Sequence, residues 1–141
     1  MLLPKKVKHR KWQTGRVNIK KIGVETRGTN LDFGSYGLKA TSAFRVTSNQ
    51  LESARKVIAR SSGKTGRIWC RIFPDRPWTQ KAAEVGMGKG KGDPQGYCFP
   101  VKPGRMIFEI DGLGEVEAKE ALRKAGTKLP LKTRIVTRHE A

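Results

Sequence analysis

Seven residues, Gly86-Met87-Gly88-Lys89-Gly90-Lys91-Gly92, carry the most distinctive chemistry of this chain. Glycines alternate there with one methionine and two lysines, so no side chain in the run can build a core. Glycine lets the backbone take positive φ and approach a partner closely. Lysine between glycines supplies charge aimed at an anion. The segment reads as a flexible cationic finger, and nucleic-acid phosphate is the anion that suits it. A nucleotide-binding loop is the competing chemistry, and the spacing is against it. A Walker-type loop needs Gly, four residues, then Gly-Lys-Ser/Thr. Here Ala83 and Val85 stand upstream, and both Lys89 and Lys91 are followed by glycine. A dinucleotide fingerprint needs a strand directly before it and a helix directly after. Here Pro74 closes the preceding strand well upstream, and Asp93-Pro94 follows the glycines.

The bland alternative for the run is a disordered linker. Its neighbours weigh against that, because Arg71, Phe73, Arg76, Trp78 and Lys81 interleave cations with aromatics on the way to Lys91. That pattern suits RNA, where charge holds the backbone and flat groups stack on bases. The whole chain is strongly basic: 30 Lys+Arg against 12 Asp+Glu leave a formal charge of +18 over 141 residues. Such a surplus destabilises a compact state by self-repulsion unless a polyanion neutralises it. The surplus is uneven. Residues 1–27 hold nine Lys/Arg and one acid, Glu25, whereas five acids fall between Glu109 and Glu120. The latter region is the least suited to face phosphate.

Nothing in the inventory supports catalysis. No Ser-His-acid or Cys-His set is close in sequence, and His9 and His139 sit near the two ends. Asp75 and Glu84 flank the loop, where a lone acid is more often a cap or an ion-pair partner. Cys70 and Cys98 cannot make a zinc site alone and are expected as buried, reduced thiols. No enzyme activity, cofactor or metal is expected.

The elements that position the finger follow from periodicity. Residues 1–32 read as a basic arm with little hydrophobic pattern, ordered on a partner. Trp12, its one large aromatic, either stacks on a base or sugar or pins the arm to the domain surface. Residues 33–141 read as the folded part of a single domain. Leu38 to Val46 alternates as a strand. Thr47 with Gln50 makes a capping box for a helix with Leu51, Ala54 and Ile58 on one stripe, running to about Arg60 and stopping near Gly63. A strand opens at Gly66, with Ile68, Cys70 and Ile72 toward the core and Trp69, Arg71 and Phe73 on the other side, and ends at Pro74. Residues 74–97 read as one long functional loop. Cys98 to Lys102 and Arg105 to Asp111 read as strands around Pro103-Gly104, the first demoted to an edge or irregular strand by Pro100. Glu115 to Ala125 is a second helix, with Glu115–Lys119 and Glu120–Lys124 at ion-pair spacing. Lys132 to Arg138 is a last strand. The order predicts an α+β fold: a mostly antiparallel sheet with two helices packed on it.

No apolar run approaches the roughly 20 residues needed to span a bilayer, so no membrane partner is expected. The start, Met1-Leu2-Leu3-Pro4-Lys5-Lys6, has no apolar core after its charges and is read as part of the working protein.

Five linked stretches resemble one family. They are Phe33-Gly34-Ser35-Tyr36-Gly37-Leu38-Lys39-Ala40, Gly66 to Pro77, Met87 to Gly92, Val101-Lys102-Pro103-Gly104-Arg105, and Lys128 to Thr133. In that order they are similar to bacterial-type large ribosomal subunit protein sixteen, nearly end to end, beginning with Pro4-Lys5-Lys6 and Arg10-Lys11. The resemblance implies an α+β domain with a hammerhead-like element. It also implies binding to large-subunit (23S) rRNA near the peptidyl-transferase region, beside neighbouring large-subunit proteins. A further implication is a role in seating tRNA at the A site, with the P site a second candidate, in a cytoplasmic rather than an organellar ribosome. The residues expected to meet rRNA or tRNA are Lys5, Lys6, Lys8, Arg10, Lys11, Trp12 and Arg16 of the arm. Lys39, Arg67, Arg71 and Arg76 join them from the strands, and Lys81, Met87, Lys89 and Lys91 from the loop. The chain departs from the family at Gly86, where arginine is usual, in the stretch Asp93 to Pro100, and in a longer segment between Arg16 and Phe33. The rival reading is a free RNA or DNA binder, such as a nucleoid or RNA-chaperone-like protein.

Overall fold

Met106-Ile107-Phe108-Glu109-Ile110 is buried throughout, so the strand that carries it, β6 (Met106–Asp111), must be covered on both faces. In the computed structural model, which describes residues 1–138, β6 lies inside a four-stranded antiparallel sheet. Its partners are β1 (Tyr36–Ala40) and β3 (Arg67–Cys70), and β7 (Thr133–Thr137) extends the far side of β1. Between Leu38 and Lys39 the register slips, and Ile107 is the extra residue opposite. A bulge of this kind re-aims side chains. Ile107 and Phe108 therefore both join the main core, while Met106 falls in a second cluster with Leu31 and Val136 on the opposite face.

Two helices cover the first face. α1 (Ser48–Ser62) contributes Leu51, Ala54 and Ile58, and α2 (Glu115–Gly126) contributes Ala118, Leu122 and Ala125. The expected capping box is present. Thr47 Oγ1 accepts from the Gln50 N–H at 3.4 Å, and Gln50 Oε1 accepts from the Thr47 N–H at 3.0 Å. α1 stops at Gly63, whose φ of 57° a Cβ would strain. On α2 the Glu115–Lys119 pair forms at 2.7 Å, but Glu120 sits nearer Arg123 (2.7 Å) than Lys124 (4.0 Å). The α+β architecture expected from the sequence is the one observed.

Three sequence expectations are corrected. The strand expected over Leu38–Val46 is two: β1 ends at Ala40, and β2 (Phe44–Thr47) belongs to a separate three-stranded sheet. The corner is pinned where Thr41 N–H donates to Lys132 O and Lys132 N–H donates to Ser42 Oγ, both at 2.8 Å. The long loop over 74–97 is mostly a hairpin, because β4 (Arg76–Gln80) pairs with β5 (Asp93–Val101) and leaves only 81–92 as the tip. Finally, β5 is the middle strand of the sheet, in the order β2-β5-β4, although it holds Pro94 and Pro100. The prolines are tolerated because each half of β5 has its own neighbour. Pro94 pairs only with Thr79 of β4, and Pro100 pairs only with Arg45 of β2, beyond the end of β4. Each proline thus stands where one side of the strand is unpaired, as on an edge.

Residues 1–35 do not build regular structure beyond a short 3-10 turn at Ile19–Lys21, yet they are tied down. Glu25 N–H donates to Pro103 O, and Met106 N–H donates to Gly28 O, each at 2.8 Å. Leu31 is buried over the face of the first sheet that the helices leave open. His139 lies outside the described residues. No helix among the described residues is long and apolar enough to cross a membrane.

Candidate nucleic-acid interface

The tip of the β4–β5 hairpin holds the glycine run. Three successive residues there take positive φ: Gly88 at 104°, Lys89 at 60° and Gly90 at 99°. Only glycine adopts the first and last without strain, and Lys89 carries a penalty of about 1–2 kcal/mol. The turn so formed projects Met87, which is 98% exposed, along with Lys89 and Lys91. Lys81 reaches back across the turn to donate to Gly88 O. At the neck the strands approach closely: a Cβ on Gly92 would lie 2.7 Å from the Gln80 carbonyl carbon.

The arm lies against this hairpin. Lys91 Nζ donates to Trp12 O, and Lys11 Nζ donates to Lys91 O at 3.4 Å. Arg76 of β4 donates to Thr14 O (2.5 Å) and Gln13 O (3.2 Å), and its guanidinium sits 6.0 Å from the centroid of the Trp12 ring. Arg45 of β2 donates to the same Thr14 O at 3.3 Å. Trp12 therefore takes part in holding the arm, and it remains 44% exposed, so part of its ring is open to a second partner. Between arm and tip runs a groove of about 710 Å³, which Arg16, Lys81, Met87 and Lys91 help to line. The structure thus joins Lys11, Trp12, Arg16, Arg76, Lys81, Met87 and Lys91 in one place, with Lys89 at its outer end.

The cations of this face outnumber its acids, Glu84 in the tip and Asp93 beside it, and they are not neutralised locally. Among the described residues, no Lys or Arg of residues 5–27, nor Arg45, Arg76, Lys81, Lys89 or Lys91, forms an ion pair with a carboxylate. Their hydrogen bonds go to backbone carbonyls, which leave the positive charge uncancelled. Lys5, Lys6, Lys8 and Arg10 are exposed and point to solvent along the arm. Beneath, Cys98 pairs with Thr47 on one side and Arg76 on the other, and is buried. Burial raises its thiol pKa, and the nearby Arg45 and Arg76 charges pull the other way. Cys70 is raised to about 11, first by burial, and its S–H donates to Ile72 O. Both thiols are free and protonated near neutral pH. Among the described residues, no group of three His, Cys, Asp or Glu could hold a metal ion.

Three expected residues lie elsewhere, on the four-stranded sheet. Arg67 is exposed at the start of the edge strand β3, opposite Asp111. Lys39 sits half-buried in β1, opposite Arg134 and Met106. Arg71 is turned inward. Its guanidinium meets the fully buried Glu109 at 3.1 Å and Asp32 at 3.0 Å, donates to Asn30 O, and lies 5.2 Å from the Phe33 ring centroid. Glu109 also accepts from the Asp32 N–H at 2.7 Å. Together these contacts strap the end of the arm across the open face of the sheet. Phe33 in turn stacks on Trp69 at 6.0 Å.

Sequence reasoning missed three contributors. Arg45 is absent from the expected contacts; its register opposite Pro100 puts it on the Cys98 face. Glu109 carried a signal, being the lone charge in a run of five buried residues. Arg105, next to the turn, donates to Arg27 O and Arg71 O and lies over Phe99 at 5.3 Å, joining arm to both sheets. Its partners are distant in sequence, so no local pattern marks it.

Comparison with known proteins bears on this arrangement. The family model for ribosomal protein L16p/L10e matches residues 4–136. Among curated relatives, the large ribosomal subunit protein uL16 of Halorhodospira halophila is 49% identical over 138 residues, covering 98% of each chain. The protein of the same name from Rhodopseudomonas palustris is 51% identical over 138 residues, again covering 98% of each.

Proposed function

The chain belongs to the ribosomal protein L16p/L10e family, a constituent of the large ribosomal subunit, and we propose that its arm-and-hairpin face binds large-subunit rRNA and helps seat A-site tRNA. The observation that carries the reading is the direct tie between the arm and the glycine tip through Lys91, Trp12 and Arg76, on a face with no paired carboxylate. Phosphate contacts from Lys5, Lys6, Lys8, Arg10, Lys11, Arg16, Lys81, Lys89 and Lys91 would fix orientation. Trp12 and Met87 would supply apolar contact where RNA narrows. The tip is slender enough for a channel that excludes bulk, and its glycines bring backbone N–H groups close to phosphate. In this reading Arg71 acts by strapping the arm, while Arg67 and Lys39 contact RNA separately on the other sheet. The P site is a second tRNA position within reach of the same tip. The α2 side, where Glu115 pairs with Lys119 and Glu120 with Arg123, would face away from the RNA.

The protein does no chemistry of its own in this account; it neutralises RNA segments that otherwise repel. Bacterial cytoplasm is the proposed setting. Sedimentation of cell extract tests assembly: the protein should travel with large subunits, and its absence there sinks the proposal. Competition at fixed salt separates it from a free nucleic-acid binder, since cognate rRNA should outcompete bulk duplex DNA. Salt dependence alone cannot do so, because any binder touching several phosphates weakens steeply with salt.

A further inference from the structure

Val17, Ile19 and Phe44 are 67%, 59% and 50% exposed, and all three line one cleft of about 770 Å³ between the arm and the three-stranded sheet. Converging exposed apolar residues mark an interaction site more often than scattered ones do. The volume falls inside the roughly 300–1,000 Å³ typical of small-ligand sites. Lys21, Arg45, Arg76 and Lys102 also line the cleft, and among the described residues no Asp or Glu does. β2 is an edge strand, so the cleft can meet Phe44 and Arg45 on its two faces. Among the described residues the Phe44 ring stacks on no other ring and lies under no cation.

An apolar floor with a cationic rim matches an unpaired nucleotide: a flat base with a phosphate at its edge. A regular RNA helix would satisfy the rim and leave the floor uncovered, because its bases are stacked inside. We propose that this cleft takes one flipped-out nucleotide of the bound RNA, its base against Phe44 and its phosphate on Arg45 and Lys102. The proposal rests on the RNA-binding reading above and adds a second, stacking contact distinct from the glycine tip. It also gives the arm segment beyond Arg16 a task, since Val17 and Ile19 form one wall.

Binding of full-length large-subunit rRNA, measured against salt concentration, tests this. Phe44→Ala should weaken affinity about 5- to 150-fold, the range for one lost base stack, with the salt slope unchanged because no charge is lost. Phe44→Trp should restore it, and Lys102→Ala should reduce the slope by about one phosphate's worth. If Phe44→Ala binds as well as the parent while Lys89→Ala plus Lys91→Ala does not, the cleft proposal is wrong and the wider reading stands. If neither variant weakens binding, both fall. A photoreactive benzoylphenylalanine at position 44 in assembled subunits should crosslink to RNA. Crosslinking to a protein, or to nothing, overturns the proposal.

Discussion

Arg71→Ala should destabilise the protein by about 3 kcal/mol, at the lower end of the roughly 3–5 kcal/mol seen when one partner of a buried ion pair is removed. The reason is the position of Glu109, which is 0% exposed and loses the guanidinium it meets at 3.1 Å. The lower end applies because the Asp32 N–H still donates to Glu109 at 2.7 Å. The second arm of the network is worth much less: Asp32 is 56% exposed, so Asp32→Ala should cost about 0–1 kcal/mol. Replacing both buried partners with apolar residues of similar size, Arg71→Met with Glu109→Leu, removes the stranded charge and should return stability to within about 1 kcal/mol of the parent. Urea denaturation of the purified protein reads all three. Against a total of about 5–15 kcal/mol for a native domain, the single variant should be plainly shifted. Its folded fraction should keep the parent's salt slope for rRNA, as expected for a strap and not for a phosphate contact. An Arg71→Ala cost below about 1 kcal/mol, or a double variant as unstable as the single, would refute the reasoning.

Three further outcomes follow from the same geometry. Gly86→Arg should be accommodated, since nothing lies within 4 Å of a Cβ built there, and should steepen the log–log salt dependence of rRNA binding by about 0.7–0.9 for one added phosphate contact. Gly92→Ala should loosen the hairpin neck, because its Cβ would meet the Gln80 backbone at 2.7 Å; a loss of about 1–3 kcal/mol and faster proteolytic cutting within 81–92 are the readouts. Burial raises both thiols, Cys70 to about 11, so the folded state keeps protons that the unfolded chain releases above about 8.5. Stability should therefore fall as pH rises from about 9 toward 11, as urea denaturation across that range would read.

Local signals in the sequence carried the helices and the first sheet. The Thr47–Gln50 capping box and the Leu51, Ala54, Ile58 stripe need only neighbouring residues, and the structure reproduces them. The second sheet was hidden because its prolines look like strand breakers. Pro77, Pro94 and Pro100 are tolerated only through which side of each strand is unpaired, and that is a property of the partners. The break at Thr41–Ser42 was likewise invisible, since alternation continues across it while the chain changes sheets. For the interface, the glycine run and the cation count pointed to the right kind of partner. The clasp of Lys91 and Arg76 on the arm joins residues more than 60 positions apart, beyond any periodicity. Arg71 shows the converse: by alternation it is an outward cation, and only the burial of Glu109 draws it in.

Crosslinking from lysine side chains in assembled large subunits carrying A-site tRNA tests the central claim most directly. Lys89 and Lys91 should join to RNA, rRNA and tRNA both among the products, while Lys124 on α2 should not. Crosslinks from the α2 side with Lys89 and Lys91 left reactive to solvent would contradict the account.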